Sequence, residues 1–473
     1  MSDDMQSEPT SRRTVLKGLG AGATVAGLGA VVGGESLVTA ASSGQAPSVA
    51  WTRRYRPRVD EDDEQKRYAH PNAVVNADDG GYVLGGHHWR YEDGEVDDFL
   101  LVKTDAKGQL EWSSEYGGQG KDRAFDLVQT ADGGYLLAGL ERTNRENPET
   151  SETEYYSTAW AVKTDSQGAV QWDRRPRPAM RGRIEAVTQT TDGDFVLAGF
   201  VQDHDYTMSA WFTRVDETGS TIVDETFAGA DPVFYGVTES ADGGLVFSGQ
   251  RADRGWVLKT DLAGNTQWET TLDANRGRAA GLLRTDADDF LVTGGSDGSD
   301  GTDVYLTRLD QTGTEQWAQR YGTDDRGESG VALTATADDG YLVVGQSRAK
   351  DVLTTDSDIF VVKTDGAGTL EWRSRYLKTE TTFARDVVQA PDGGYAVTAN
   401  EYFVKLGGDY QESNPTPTPK DSDDSTATHT PTDDDSTQSP TATESSSGGD
   451  ETATSTPTET TSPTPEPDDD CTI

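Results

Sequence analysis

The sequence predicts an all-β protein, a seven-bladed β-propeller of four-stranded antiparallel blades, and three observations carry that prediction. An Asp/Gly-rich turn followed by an apolar residue recurs seven times, centred on Tyr82, Tyr135, Phe195, Leu245, Phe290, Tyr341 and Tyr395, at spacings of 45 to 60 residues. A second block follows each of the first six turns, of the kind Lys103-Thr104-Asp105, Arg214-Val215-Asp216 or Lys363-Thr364-Asp365. A Gly stands three residues past each of these Asp, and a Trp four residues past that Gly in five of the six, at Trp112, Trp172, Trp268, Trp317 and Trp372, with Val223 the exception. Finally, the two ends of the repeat region complement each other. Trp51 and Tyr55 stand ahead of the first full unit with the spacing of Trp112 and Tyr116, while the last unit stops after Lys405-Leu406 without a fourth strand.

The elements follow in order. Residues 1–46 read as an address and short leader. Arg12 and Arg13 precede seventeen uncharged residues, Gly18 to Gly34, seven of them Gly, and small residues stand near Ala40 and Ala41 for cleavage. This looks like a twin-arginine export signal, and the Gly-broken stretch is a poor membrane helix. Residues 47–408 are the repeats. In the second unit, residues 125–130 alternate as a strand, Ala131 to Gly134 make a hairpin turn, and residues 135–140 form the second strand. A long polar loop, Glu141 to Thr158, precedes a third strand at 159–164, and Asp165 to Gly168 turn into the fourth around Trp172. Four strands per repeat make a blade rather than a solenoid coil. The orphan strand around Trp51 is expected to complete the last blade, burying Trp51 beside Trp372 and leaving no exposed edge. Aligned units bring Ala73, Asp126, Ala186, Gly236, Gly281, Ala332 and Asp386 into one register on the innermost strands, where short side chains fit around an axis. Residues 409–473 hold nine of the 18 Pro and sixteen acids against Lys420, a disordered acidic tail by composition. Cys471 is an exposed thiol there.

Composition excludes several functions. The net charge of −42 repels nucleic acid and anionic lipid, and no membrane span is expected in the mature chain. With 12 Lys among 41 bases, the acidic, Lys-poor balance is that of proteins from salt-loving organisms, where ions screen self-repulsion. A single Cys excludes intrachain disulfides and four-Cys zinc modules.

The segment from Phe99 to Trp112, with Asp132-Gly133-Gly134-Tyr135, resembles the β-propeller repeats of exported haloarchaeal and bacterial surface proteins. Its Asp-x-x-Gly-x-x-x-Trp part is similar to the tryptophan-docking repeat of quinoprotein-like propellers. Quinone-dependent members of that superfamily typically have eight blades and many carry a vicinal Cys pair, whereas this chain has seven units and one Cys.

Few residues suggest chemistry. No G-x-S-x-G elbow, phosphate loop or dinucleotide fingerprint occurs. His87, His88, Trp89, Arg90 and Tyr91 form the most unusual cluster, read as an exposed loop or a ligand-contacting patch, and His204 sits in a loop of the same side. Adjacent His87 and His88 on a strand point apart, so they do not pair on a metal. Asp297, Asp300 and Asp303 lie in a Gly/Asp run that could wrap Ca2+, though the spacing is not that of an EF-hand, and a solvated loop is the competing reading. No other cofactor is expected. Asp126 and Asp386 are expected to line the channel. In an up-and-down blade the tight Asp/Gly turns share one face, and the loops between second and third strands share the other with the inter-blade connections. That second face varies in length and is where recognition is expected. The expected function is a secreted or cell-surface monomer that binds an extracellular protein or polysaccharide without catalysis. An extracellular polysaccharide hydrolase, lyase or quinoprotein-like enzyme using the central channel is the alternative, and a purely structural envelope component a third.

Overall fold

The structure, a computed structural model, describes residues 44–408 except 57–67, 92–94, 118–119, 147–152, 178–180, 204, 274–275, 299–300, 324, 350–356 and 378–381. The described chain is all β, seven separate four-stranded antiparallel sheets. Blades 1 to 6 are consecutive, over residues 69–116, 123–174, 181–227, 233–271, 276–321 and 326–376, each ordered from innermost to outermost strand as the chain runs. Blade 7 takes three strands from residues 384–406 and its outer strand from Val49–Arg53, which pairs antiparallel with Tyr402–Leu406 (Trp51 opposite Lys405, Arg53 opposite Phe403). Blade 7 therefore has its full four strands, with Tyr402–Leu406 paired on both sides.

The repeated motifs explain how blades hold their turns. Each tight turn between first and second strands presents an Asp whose carboxylate meets a cation of the third strand: Asp79 with Lys103 (2.6 Å), Asp132 with Lys163, Asp194 with Arg214, Asp242 with Lys259, Asp289 with Arg308, Asp338 with Lys363 and Asp392 with Lys405 (2.6 Å). Burial disfavours the Lys103 charge, but hydrogen bonds to Asp79 and Glu111 outweigh it and raise the pKa. The next turn is built by the second Asp of each motif, as where Asp105 Oδ1 accepts the amides of Lys107 and Gln109 (both 2.8 Å).

Tryptophan docking joins the blades. Gly108, at φ +68°, lies under the Trp51 ring, and a Cβ there would overlap it. The same contact repeats between Gly168 and Trp112, Gly313 and Trp268, and Gly368 and Trp317. Tyrosine four residues past the Trp completes it by donating its hydroxyl to that glycine's carbonyl, Tyr55 to Gly108 (3.0 Å) and Tyr116 to Gly168 (2.7 Å). Burial pushes the Tyr116 hydroxyl up to about 12. Trp51, only 3% exposed, sits edge-on to Phe403 (5.2 Å) and beneath blade 1. It belongs to the interface of blades 7 and 1, and Trp372 to that of blades 6 and 7, so the two are not neighbours in one cluster as the repeat pattern suggested. Trp372 meets Gly44, and Tyr376 donates to the Pro47 carbonyl (2.8 Å), so residues 44–47 replace the turn that blade 7 lacks.

Candidate functional site

The innermost strands decide what the channel presents. All seven carry a β-bulge at the same register position, leaving Asn72, Phe125, Glu185, Tyr235, Ala280, Val331 and Arg385 as the extra residues. A bulge re-aims the side chain it frees. Two residues earlier, nearer the variable-loop face, stand His70, Arg123, Arg183, Val233, Arg278, Ser329 and Phe383. These fourteen positions hold four Arg and one acid, the reverse of a chain with 83 acids to 41 bases. They also hold three aromatic rings, and cations sit on them. Arg183 lies 5.1 Å from the Phe125 ring centre and 5.4 Å from that of Phe200, Arg278 lies 5.5 Å from Tyr235, and Arg348 lies 5.0 Å from Phe383. Each of these contacts except Arg183 with Phe200 crosses between blades. Further out on the same face, Arg181 lies 5.7 Å from Tyr156 and 5.3 Å from the 63%-exposed Tyr206.

Directly after each bulge comes the register of short residues. Asp126 accepts the amide of Leu127 (2.8 Å) on one oxygen and that of Val187 in blade 3 (2.8 Å) on the other. Asp386 does the same with Val387 (2.7 Å) and with Val74 in blade 1 (2.9 Å). Desolvation raises both carboxyls, Asp126 to about 7, with the Asp386 charge adding to it, and Asp386 to about 6. Both are half-buried by surface exposure yet enclosed by protein, as a narrow axial channel would leave them.

His87 and His88 lie in a strand, Tyr82–Tyr91, rather than a loop, because β-pairing with Glu95–Thr104 continues to the Tyr91–Glu95 pair. Both are buried and on opposite sides. His87 stacks on His70 (5.0 Å between ring centres, 14° between planes), and desolvation together with the His70 and Arg123 charges holds it well below the usual imidazole range. His88 Nδ1 meets Glu115 Oε1 at 2.7 Å. Trp89, Arg90 and Tyr91 continue the strand; their side chains, like His204, lie outside the described residues. In blade 5, Asp297 pairs with Thr302 and Asp303 with Ser296, adjacent register positions of the hairpin, and the Asp297 side chain lies outside the described residues. Asp303 reaches toward Gly322, and its charge raises buried Glu328, after desolvation, in a contact between blades 5 and 6. Asp300 lies outside the described residues, and no group of three metal-ligating side chains occurs among those described. The Glu141 to Thr158 segment is also mostly strand, paired from Glu141 with Thr158 out to Glu146 with Thr153.

On the opposite face, an open cavity of about 500 Å³ lies at the ends of blades 2 and 3, lined by Gln129, Thr130, Thr188, Gln189 and Thr191. Its polar groups serve the scaffold. Gln189 Oε1 accepts the Ala131 amide (2.7 Å), and Glu239 accepts that of Thr191 (2.8 Å), each tying a blade to the turn of the one before. The arginine-rich mouth is what sequence reading missed, and its signal lay in the second strands. Gly86, Gly139, Gly199, Gly249, Gly294 and Gly345 each stand four residues into theirs, where a Cβ would overlap the inner-strand carbonyl next to the bulge.

With this geometry described, comparison with known proteins places the fold. No protein-family model matches the chain, and no curated protein does. Among solved structures, it is similar to the WD40 domain of Neurospora crassa Pan2 (TM-score 0.50, 10% identity, 77% of this chain and 96% of that one). Lower similarity is found to Drosophila Plexin A in complex with Semaphorin 1b (TM-score 0.44, 9%, 76% and 87%) and to a protein of unknown function from Bacteroides caccae (TM-score 0.40, 12%, 62% and 94%). At these identities the likeness concerns fold alone. No helix among the described residues is long and apolar enough to cross a membrane.

Proposed function

We propose that the protein is an exported, cell-surface binding scaffold that takes an extracellular protein or polysaccharide at the variable-loop mouth of its channel. The observation that carries this reading is the local charge inversion: four Arg, three aromatic rings and one acid at fourteen inner-strand positions of a strongly acidic chain. Isolated cations on so acidic a surface are ordinarily neutralised by neighbours, but Arg278 and Arg348 have no carboxylate partner among the described residues. Export is supported by the Arg12-Arg13 pair, and cleavage near Ala40 and Ala41 would spare Gly44, which packs on Trp372. A glycan and protein array probed with the mature chain at high salt tests the binding reading. Selective retention of one ligand class is expected, and uniformly blank arrays would remove it. The stacked His70–His87 pair favours a second reading, polysaccharide cleavage, which the same ligands would reveal by shortening during incubation. For the address, changing Arg12 and Arg13 to Lys should hold the protein inside the cell, and undiminished secretion of that variant would count against the twin-arginine route.

A further inference from the structure

A guanidinium carries five N–H donors, so one that meets an aromatic side chain still keeps donors with which to grip a planar anion from the side. The mouth repeats this arrangement across blades 2 to 5, with Arg183 between Phe125 and Phe200 and Arg278 on Tyr235. The two arginines are not equivalent. Arg183 is engaged by Glu185 (2.5 Å), while Arg278, half-buried, has no carboxylate partner among the described residues. Tyr235 stands between them, half-buried, hydrogen-bonded by the Arg278 side chain and within the fields of Glu185 and Arg183.

Resting on the binding-scaffold reading, we infer that this mouth recognises a uronate, the acidic sugar unit of an extracellular glycan, with its carboxylate on the Arg278 fork and its ring against Tyr235. Three arguments select that chemistry. A carboxylate matches the guanidinium fork in two parallel hydrogen bonds, and a fork without a protein carboxylate is the one available to a ligand. The aromatic rings interleaved with the arginines suit a ligand that carries an apolar C–H face beside its charge, which a pyranose uronate has and a bare inorganic anion lacks. The chain's overall charge of −42 opposes dense polyanions at long range, so a monoanionic unit recognised by contact fits better than a phosphate polymer. An Asp- or Glu-rich peptide shares the carboxylate but not the rigid apolar face, and it must also be ordered on binding.

The test is calorimetric titration of the mature chain, at one fixed salt concentration, with a short oligogalacturonate, an uncharged galactan oligomer of equal length and a poly-glutamate peptide. Oligogalacturonate alone should bind. Arg278→Lys, which keeps the charge and loses the fork, should weaken it by about tenfold or more, the scale of a charge-assisted hydrogen-bonded pair. Tyr235→Leu should also weaken it, while Arg284→Lys, at the opposite end of the Arg276–Arg284 strand, should leave it unchanged with an equal melting temperature. Poly-glutamate or galactan binding as tightly as oligogalacturonate overturns the uronate assignment and leaves the scaffold standing. Full affinity in both Arg278→Lys and Tyr235→Leu overturns the site. Failure of the array to retain any ligand removes the scaffold reading itself, a separate outcome.

Discussion

At the scale of single residues, the informative groups are two carboxyls that do structural duty at a chemical cost. Asp126 and Asp386 each bridge two adjacent inner strands by accepting one amide per oxygen, an arrangement that favours the anion, yet burial raises them to about 7 and about 6. Desolvation therefore wins. A folded pKa above the unfolded one means that the ring holds protons which the unfolded chain releases near pH 4, so their contribution to stability is complete below about pH 4 and is lost as pH rises through about 6 to 7. Asp242 runs the other way. Hydrogen bonding from Lys259 brings it down to about 2, so its contribution is present above about pH 4 and lost as pH falls through about 2. Thermal melting at fixed salt should thus decline between about pH 4 and pH 7. In the double variant Asp126→Asn, Asp386→Asn that slope should flatten, while the melting temperature drops across the range because each amide NH2 faces a backbone N–H, at about 1–3 kcal/mol per site. A double variant that keeps the parent's slope would show that other groups set it. Of these two residues the sequence revealed the position, since a shared register of short side chains is a pattern. It could not reveal the amides they accept, which come from blades 61 residues away for Asp126 and 312 away for Asp386.

At the scale of elements, each inner strand and its partner form a matched set, a bulge on one and a glycine on the other. Blades 1 to 6 meet the requirement with glycine and blade 7 with Ala399, which pairs with Ala384 just ahead of the Asp386 register shift. Period-two alternation identified these strands. It cannot register a bulge, because an inserted residue looks like a local fault in the alternation. That is why the register of Asp126 and Asp386 was legible from sequence while the arginine mouth was not: Arg123, Arg183 and Arg278 keep an equally constant distance from the turns, but the side each faces depends on the extra residue that follows. The same limitation affected the second strands of blades 1 and 2, where polar sequence reads as loop but cross-strand pairing carries on through Tyr91 and Glu146. Gly139→Ala tests the matched set. Its Cβ would overlap the Arg123 carbonyl oxygen, so the bulge must shift, with an expected loss of about 1–3 kcal/mol, the range of overpacking in a filled interior. Chemical denaturation of Gly139→Ala beside the parent measures it, and an unchanged midpoint would mean that the bulge has slack. Because Arg123 Nε bonds Asp97 (2.8 Å) across blades 1 and 2, a shifted bulge should also loosen that pair.

At the scale of the whole molecule, closure joins the start of the chain to its end twice over, by a ladder and by a docked ring. The ladder is the pairing of Val49–Arg53 with Tyr402–Leu406 inside blade 7, and the ring is Trp51 on Gly108 of blade 1, with Tyr55 donating to the Gly108 carbonyl. Both were legible in outline, because an orphan Trp-x-x-x-Tyr before the first unit and a missing fourth strand in the last are complementary faults in one repeat. The consequence can be separated into parts by comparing two variants. Trp372→Ala removes the equivalent ring between blades 6 and 7 with every strand in place, and should cost about 3–5 kcal/mol, the range for truncating a large buried aromatic. A chain starting after Val59 loses Trp51 and Tyr55 from the interface of blades 7 and 1 and also strips the hydrogen-bonding partner from Tyr402–Leu406. Its loss should therefore exceed that of Trp372→Ala. The bared strand contains buried Phe403 and Val404 and offers a pairing edge, so the truncated chain should self-associate in a concentration-dependent way that Trp372→Ala does not. Denaturation midpoints and sedimentation of the two variants beside the parent decide the matter. A truncated chain that stays monomeric and no less stable than Trp372→Ala would mean that neither the ladder nor the docked ring is needed to hold blade 7 to blade 1 and that the N-terminal strand is dispensable to the ring.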